Sequence, residues 1–312
     1  MNGIRIVSTG SYVPERVITN DMFAETLDTS DEWIRSRTGM ERRHFVTDEG
    51  NTDLAYHAAR EAMDKGEISP DDIGIMIVAT FSADSFVPST ACILQQRLGI
   101  AENTICFDLN AACSGFVYAL ETAKALLSGD RRRYALVIGS EVISKKIDMT
   151  DRSTCILFGD GAAAAIIEAA PGKMYMSSIG SRGDIDDLHC MVYPQTGQKI
   201  CMNGKEIYRF AISTVPDMIK QTVAKAGLQL EDIDLFICHQ ANSRIIETIA
   251  KRLGIREERF YCRTGEYANT SAASIPLAVN DLNDKGELRP GMKIVLAGFG
   301  AGLTWGIVLM EI

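Results

Sequence analysis

Residues 104–118 read TICFDLNAACSGFVY, and the rest of the chain can be read outward from them. The apolar run Thr104 to Leu109 predicts a short buried strand. The small residues Ala111, Ala112, Ser114 and Gly115 then turn it into a helix that continues through Val117, Leu120 and Ala123. A strand passed by a tight turn into a helix is the repeating unit of an α/β sheet, and this one sets Cys113 at a helix N-terminus. Unpaired backbone N–H groups and the positive end of the helix dipole favour a thiolate at such a position, and the same N–H groups can receive an oxyanion. Two readings of Cys113 stand at this point: a nucleophile, or a small core residue of the kind most free cysteines are.

The chain has 312 residues, 46% of them hydrophobic, enough for one large α/β body or two packed halves with their own cores. Its formal net charge is −9 with no block of like charges, so nucleic acid is not an expected partner and an acidic partner must find a local basic patch. The first fifteen residues lack the charged start and apolar core of a signal peptide, and no apolar run reaches membrane-spanning length, which predicts a soluble cytoplasmic protein. The eight cysteines at 92, 106, 113, 155, 190, 201, 238 and 262 stand singly, so reduced thiols are expected. The four histidines form no helical ligand pair, so no metal site is expected.

Upstream, Gly3 to Gly10 predicts a strand. Thr29 with Glu32 three residues later predicts a capped helix carrying Trp33 and Arg37 one turn apart. Asp53 to Lys65 predicts an amphipathic helix, Asp71 to Thr80 a buried strand, and Ala91 to Leu98 a helix stopped by Gly99. Downstream, Tyr134 to Gly139 is another apolar strand. The GDGAAA at 159–164 looks like part of a dinucleotide fingerprint, but the residues after it read as strand where a helix would be required.

The second half repeats the first. Asp72 to Val78 aligns with Asp232 to Cys238 at an offset of 160 (232 − 72), and Arg97 to Ile100 with Arg252 to Ile255 at 155 (252 − 97). The strand Ala135 to Gly139 has its counterpart in Ile294 to Gly298. Each half should then be a mostly parallel sheet covered by helices, with a pseudo-twofold relation between 1–170 and 171–312 and a boundary near Pro171. At the offset of 155, the counterpart of Cys113 falls at Ala268, next to Asn269, and His239 follows the second-half strand Leu235 to Cys238. Ligands bind at the carboxyl ends of parallel strands, so Cys113, His239 and Asn269 should meet at one buried site. Taken singly, His239 could be a satisfied core histidine and Asn269 an ordinary turn residue. The run Gly298 to Gly302 reads as a glycine turn that could aim a backbone N–H at a reacting oxygen.

The runs TSDEWIRSRTG (29–39), DLNAACSGF (108–116), CHQAN (238–242), YANTSAASIP (267–276) and GFGAGLTWG (298–306) together resemble the β-ketoacyl-acyl carrier protein synthase III family of the thiolase superfamily, in order and over nearly the whole chain. The resemblance implies a thiolase-like fold, an αβαβα body of two pseudo-twofold halves. It also implies a Cys113–His239–Asn269 triad that condenses an acyl-CoA primer with malonyl-acyl carrier protein, needing no cofactor because the CoA thioester is itself a substrate. Backbone N–H groups of Cys113 and Ala301 would hold the oxyanion, with Ala301 standing where the family often has glycine, and Phe299 would flank the malonyl carboxylate. Trp33 and Arg152 would sandwich the adenine of CoA, Arg37 would lie near its phosphates, and Gly204 and Asn242 would line the pantetheine tunnel. Arg209, Arg244 and Lys251 would form the basic patch for the carrier protein, although any of these charges could simply be a solvated face.

The same resemblance implies a homodimer in which the residue before Pro88 reaches across to limit the primer. Val87 stands there where acetyl-preferring members often have phenylalanine, which suggests a longer or branched primer, with Phe158 and Leu188 lining the same pocket. Phe86 is adjacent, and a one-residue shift would undo the argument from Val87. Two alternatives remain open at this stage: a relative serving specialised metabolism, and a catalytically silent acyl-CoA-binding protein on the same scaffold.

Overall fold

The computed structural model describes residues 2–127, 133–183, 190–191 and 199–312. In chain order it opens with β1 (Asn2–Tyr12), β2 (Val17–Thr19), α1 (Asn20–Ala24), α2 (Asp31–Thr38), β3 (Arg42–His44), α3 (Asn51–Gly66), β4 (Ile73–Ala79), α4 (Thr90–Leu98) and β5 (Ile105–Leu109). Then come α5 (Gly115–Leu127), β6 (Tyr134–Glu141), β7 (Gly161–Pro171), β8 (Tyr175–Ser181), β9 (Cys190–Met191), β10 (Cys201–Met202) and α6 (Gly204–Lys225). The last elements are β11 (Leu235–Cys238), α7 (Ser243–Leu253), α8 (Thr264–Tyr267), α9 (Ser274–Asp284), β12 (Lys293–Gly300) and β13 (Thr304–Glu311). Two large sheets result, with strand orders β1-β7-β6-β4-β5 and β11-β12-β13-β8.

Strand periodicity decides how the layers stack. In β4, Met76 and Val78 face an outer core with Leu54 and Ala58 of α3 and Leu94 of α4. Ile75 and Ile77 face inward, onto α5 and α9 and, beyond them, Ile294, Leu296 and Val308 of the second sheet. The other faces of β12 and β13, through Val295, Ala297, Ile307 and Leu309, meet Phe210 and Ile219 of α6 and Ile246 and Ile249 of α7. The order is helix, sheet, helix, sheet, helix: the five-layered body expected from the sequence.

Three details differ from the sequence reading. The sheets are mixed and not mostly parallel: of the seven strand pairs in the two sheets, three are parallel and four antiparallel. The cause is that each repeat ends by turning back, β6 into β7 and β12 into β13, and then adds an antiparallel edge strand. The strand β5 is an edge strand with Ile105 41% exposed, so it is only half-buried in the single chain. The cap of α2 is Ser30, whose hydroxyl accepts from the Trp33 N–H at 3.1 Å; Thr29 lies one residue too early because the helix starts at Asp31.

The pseudo-twofold relation is seen in backbone detail. Ala112 (φ 46°) and Ser271 (φ 49°) adopt the same left-handed conformation, each opening a single helical turn that leads into α5 or α9. Each is preceded by an asparagine whose Oδ1 accepts its N–H, Asn110 at 3.1 Å and Asn269 at 2.9 Å. Gly139 of β6 sits against the Ala272 carbonyl and Gly298 of β12 against Ser114, so each sheet packs on the other half's turn. These pairs share an offset of 159 (271 − 112), which makes Ala272 the counterpart of Cys113. The expected counterpart, Ala268, is displaced because the loop lengths before the two turns differ.

Candidate active site

Cys113 lies in the turn Ala112–Ser114 at the mouth of α5, half-buried and lining a cavity of about 600 Å³. The Ser114 hydroxyl fixes this turn, donating to the Ala111 carbonyl at 2.8 Å and meeting Thr304 Oγ1 at 2.6 Å. The end of β12 presses directly on Cys113. A Cβ on Gly300 would come within 2.9 Å of Cys113 Cβ and 3.3 Å of its Sγ. Gly298, Phe299 and Gly300 belong to β12, and only the turn at Ala301 leaves the sheet, so most of the predicted glycine turn is strand. Its glycines serve close approach between backbones.

His239 follows β11 directly and is held by its N–H to the Ala297 carbonyl at 2.8 Å. Its Nδ1 lies 2.7 Å from Ser274 Oγ, and the same hydroxyl oxygen accepts from the Gln240 N–H at 3.4 Å. Ser274 thus holds Nδ1 on the protein side and leaves Nε2 for the cavity; in the tautomer in which the Ser274 hydroxyl donates to Nδ1, the ring proton sits on Nε2. Burial pushes the imidazole pKa down to about 3, so the ring is neutral at physiological pH. Phe299 stands edge-on to it at 5.2 Å and completes an apolar wall.

Asn269 is fixed from both halves of the chain. Its N–H donates to the Leu157 carbonyl at 2.9 Å, and its carbonyl accepts from the Gly159 N–H at 3.0 Å. Its Oδ1 is occupied by the Ser271 N–H, which leaves Nδ2–H as the group available to the cavity. Cys113, His239, Asn269, Phe299 and Ala301 all line that one cavity, so the structure gathers the five residues expected at the reacting centre. What they offer is a thiol at a helix start beside a neutral imidazole and a side-chain amide, both oriented by buried hydrogen bonds.

Gly204, Asn242 and Phe158 also line the cavity. Trp33, Arg37 and Arg152 group outside it: the Arg37 and Arg152 guanidinium carbons stand 4.9 and 4.7 Å from the Trp33 ring centre. Asn242 Nδ2 donates to the Arg37 carbonyl at 3.2 Å, joining this cluster to the cavity rim. Val87 does not line the cavity of its own chain; it is 87% exposed, while its neighbour Phe86, 78% exposed, reaches the cavity wall. Leu188 lies outside the described residues. Arg244 and Lys251 are exposed at the two ends of α7, and Arg209 on α6 pairs with Glu206 and borders a shallow pocket shared with Arg182 and Arg252. The sequence reading missed Ser274 and Ser271, both inside the run YANTSAASIP, because nothing in a run of small residues tells which hydroxyl faces which ring.

Comparison with known proteins agrees with this geometry. Residues 107–183 match the family model of 3-oxoacyl-[acyl-carrier-protein] synthase III, and residues 223–312 match the model of its C-terminal part. The chain is 45% identical to the β-ketoacyl-[acyl-carrier-protein] synthase III of Clostridium acetobutylicum, covering 100% of this chain and 99% of that protein. Against the corresponding protein of Clostridium beijerinckii it is 43% identical, with 100% of both chains covered. Its fold superimposes on the 3-oxoacyl-[acyl-carrier-protein] synthase III crystal structure from Aquifex aeolicus with a TM-score of 0.94 at 38% identity, covering 99% of this chain and 100% of that one. The enzyme of the same name from Pseudomonas aeruginosa gives 0.93, also at 38% identity, with 99% and 98% covered. With its full length matched and its cysteine, histidine and asparagine gathered on one cavity, the chain belongs to the β-ketoacyl-acyl carrier protein synthase III family.

Proposed function

We propose that this chain is the acyltransferase that opens type II fatty acid synthesis, condensing an acyl-CoA primer with malonyl-acyl carrier protein to give a 3-oxoacyl-acyl carrier protein. The Cys113 sulfur attacks the primer thioester, and the tetrahedral oxyanion rests on the backbone N–H groups of Cys113 and Ala301. CoA leaves as its thiol, taking the proton that Cys113 gives up, and the acyl group stays on sulfur. Malonyl-acyl carrier protein then presents its thioester oxygen to His239 Nε2–H and Asn269 Nδ2–H. The C–C bond to the carboxylate breaks, CO₂ departs, and the electron pair becomes an enolate held by the two donors. The enolate carbon attacks the acyl-cysteine carbonyl, and the Cys113 thiolate leaves. The Phe299 ring against His239 makes the carboxylate's surroundings apolar, which favours its loss as neutral CO₂.

The observation that carries this reading is the orientation of the two donors. Ser274 engages Nδ1 and the Ser271 N–H engages Oδ1, so His239 Nε2 and Asn269 Nδ2 are the atoms left for the same cavity as the Cys113 thiol, and the proposed chemistry uses the tautomer that carries its proton on Nε2. Two neutral donors stabilise an enolate without quenching it by proton transfer, and removal of one costs on the order of 3 kcal/mol in comparable oxyanion sites.

The same proposal gives the outlying residues their roles. Adenine inserts between Trp33 and Arg152, which swings off the ring it now covers, and the CoA phosphates lie by Arg37. Pantetheine passes Gly204 and Asn242, and the acidic carrier protein docks on Arg209, Arg244 and Lys251. The halves divide near residue 170, the first carrying the nucleophile and the second the two donors. Two copies associate so that the exposed Val87 of each reaches the other's primer pocket beside Phe158; a valine there leaves room for a longer or branched primer. The reaction belongs to the cytoplasm, where its CoA and carrier-protein substrates are; among the described residues no helix is long and apolar enough to cross a membrane.

Intact-protein mass after incubation with a panel of acyl-CoAs tests the reading. A single adduct on the wild type that vanishes in Cys113→Ala is expected, and the largest adduct yield should come from a primer longer or more branched than acetyl. No adduct with any acyl-CoA would overturn the function, and acetyl alone would overturn the argument from Val87.

A further inference from the structure

The offset of 159 that relates the two halves also maps the active site onto a second place in the molecule. Cys113 maps to Ala272, Asn269 to Asn110 and Gly300 to Glu141, while His239, on a strand offset by 160, maps to Ala79, next to Thr80. Where the true site has a glycine that lets the nucleophile sit close, its pseudo-symmetric twin has a glutamate, and that glutamate is fully buried. Glu141 Oε2 accepts from the Ser82 hydroxyl and, at 3.2 Å, from the Thr80 hydroxyl; its carboxylate also accepts from the Phe81 N–H at 3.3 Å. Asn51 supports the same cluster, donating from Nδ2 to Thr80 Oγ1, Ser82 Oγ and the Ser140 carbonyl. On its other side the carboxyl meets Ser271, whose hydroxyl is near enough to lower the carboxyl's pKa but closes no full hydrogen bond.

Each flank of this plug is a part of the working site. Thr80 to Ser82 open the segment whose Phe81, Ala83, Ser85 and Phe86 wall the cavity. Ser271 supplies the N–H that occupies Asn269 Oδ1 and so turns Nδ2 toward the substrate. We infer that Glu141 is a positioning residue for the condensation: it fills the vacated twin of the active site and, through Ser271, holds Asn269 in its donor orientation while anchoring the Phe81–Phe86 wall of the acyl pocket. A buried acceptor that gathers three donors from the segment after β4 and faces the hydroxyl of the turn before α9 restrains their relative placement, because releasing the Thr80, Phe81 or Ser82 donor would leave a polar group buried and unpaired. The inference rests on the proposed condensation and adds to it a residue that touches neither substrate.

The two half-reactions separate this role from a general loss of structure. Malonyl-acyl carrier protein decarboxylation without primer reads the His239 and Asn269 donors, and Cys113 acylation across the acyl-CoA panel reads the wall. In Glu141→Ala, decarboxylation at saturating malonyl-acyl carrier protein should fall at least tenfold and discrimination between primers should flatten, while Cys113 still acylates within threefold. Glu141→Gln keeps an acceptor in place and should recover decarboxylation to within threefold of wild type. A folded Glu141→Ala with both half-reactions unchanged overturns the inference, as does a Gln variant no better than the Ala variant. Should Glu141→Ala fail to fold, Ser271→Ala removes the hydroxyl facing Glu141 and keeps the N–H on Asn269. Decarboxylation should then fall with acylation intact, and an unchanged rate overturns the inference. A wild type that performs neither half-reaction would instead overturn the proposed function itself.

Discussion

At the scale of single residues the site depends on keeping polar groups neutral and aimed. His239 illustrates both, because burial holds its pKa at about 3 against an ordinary value near 6.5. The ring is therefore neutral at every pH in the working range, and His239 should give malonyl decarboxylation no acid limb near pH 6.5; a rate that halves near that pH in wild type and in Glu141→Gln alike would mean the ring protonates in the folded enzyme, since the variant lacks the carboxyl that burial pushes up to about 7. The stability consequence has a definite sign. Below about pH 6.5 the unfolded chain binds a proton that folded His239 refuses until about pH 3, so the contribution is whole above pH 6.5 and is lost progressively as pH falls toward 3. Glu141 runs the other way across much of the same window, since its carboxyl, pushed up to about 7 by burial, favours the folded state as pH falls from 7 toward 4.5. Thermal melting of wild type and His239→Gln isolates the histidine: the wild type should lose more stability between pH 7 and pH 5 than the variant. That Cys113, His239 and Asn269 meet on one cavity was legible in the sequence because each sits in a distinctive run beside a predicted strand end. Ser274, Ser271 and Glu141 were not, because a serine in a small-residue run or a glutamate ending an apolar strand acquires its meaning only from what another part of the chain puts against it.

At the scale of elements, β12 shows how a correct motif can carry the wrong local structure. Its glycines look like turn residues in sequence, yet Gly298 and Gly300 continue the strand, and what they permit is contact with Ser114 and Cys113 in the other half. A glycine in a strand interior marks a place where another backbone approaches, and sequence alone does not distinguish that use from a positive φ. Substitution separates the two. Neither Gly298 nor Gly300 has a positive φ, so alanine would be tolerated if only local backbone mattered. At Gly300 the added Cβ would meet Cys113 Cβ at 2.9 Å and its backbone N at 3.0 Å, and neither is the end of a flexible side chain. Gly300→Ala should therefore displace the Cys113 turn and slow Cys113 acylation by at least tenfold, measured by mass against time, in a protein that still melts cooperatively. Acylation at the wild-type rate would show that the turn has slack the packing does not suggest.

At the scale of the whole molecule, the duplication was the most legible feature of the sequence, and the surface it leaves exposed was the least. Matching runs in β4 and β11 and in α4 and α7 revealed two related sheets, because buried strands and amphipathic helices keep their apolar pattern wherever they lie. Apolar composition likewise marked β5 as buried, but in the single chain it is an edge, with Ile105 exposed and Phe107 and Leu109 only partly covered. An apolar edge strand with no protecting lysine or proline is a template for pairing with another strand. Beside it, Phe86 and Val87 are the most exposed large apolar residues of the described chain. A second copy would cover both features at once, joining β5 to β5 and carrying each Val87 toward the other primer pocket. The wild type should then scatter light as a particle of twice the chain mass at micromolar concentration. Ile105→Lys, which puts a charge on the edge without touching the cavity, should shift the equilibrium toward the single chain. If Val87 of one copy limits the primer of the other, that same variant should also lose its preference among acyl-CoAs as it dissociates, in step with the fraction of single chains. A wild type that stays a single chain, or an Ile105→Lys that dissociates with its primer preference intact, would separate the cavity's selectivity from the edge strand and assign it to Phe86 of the same chain.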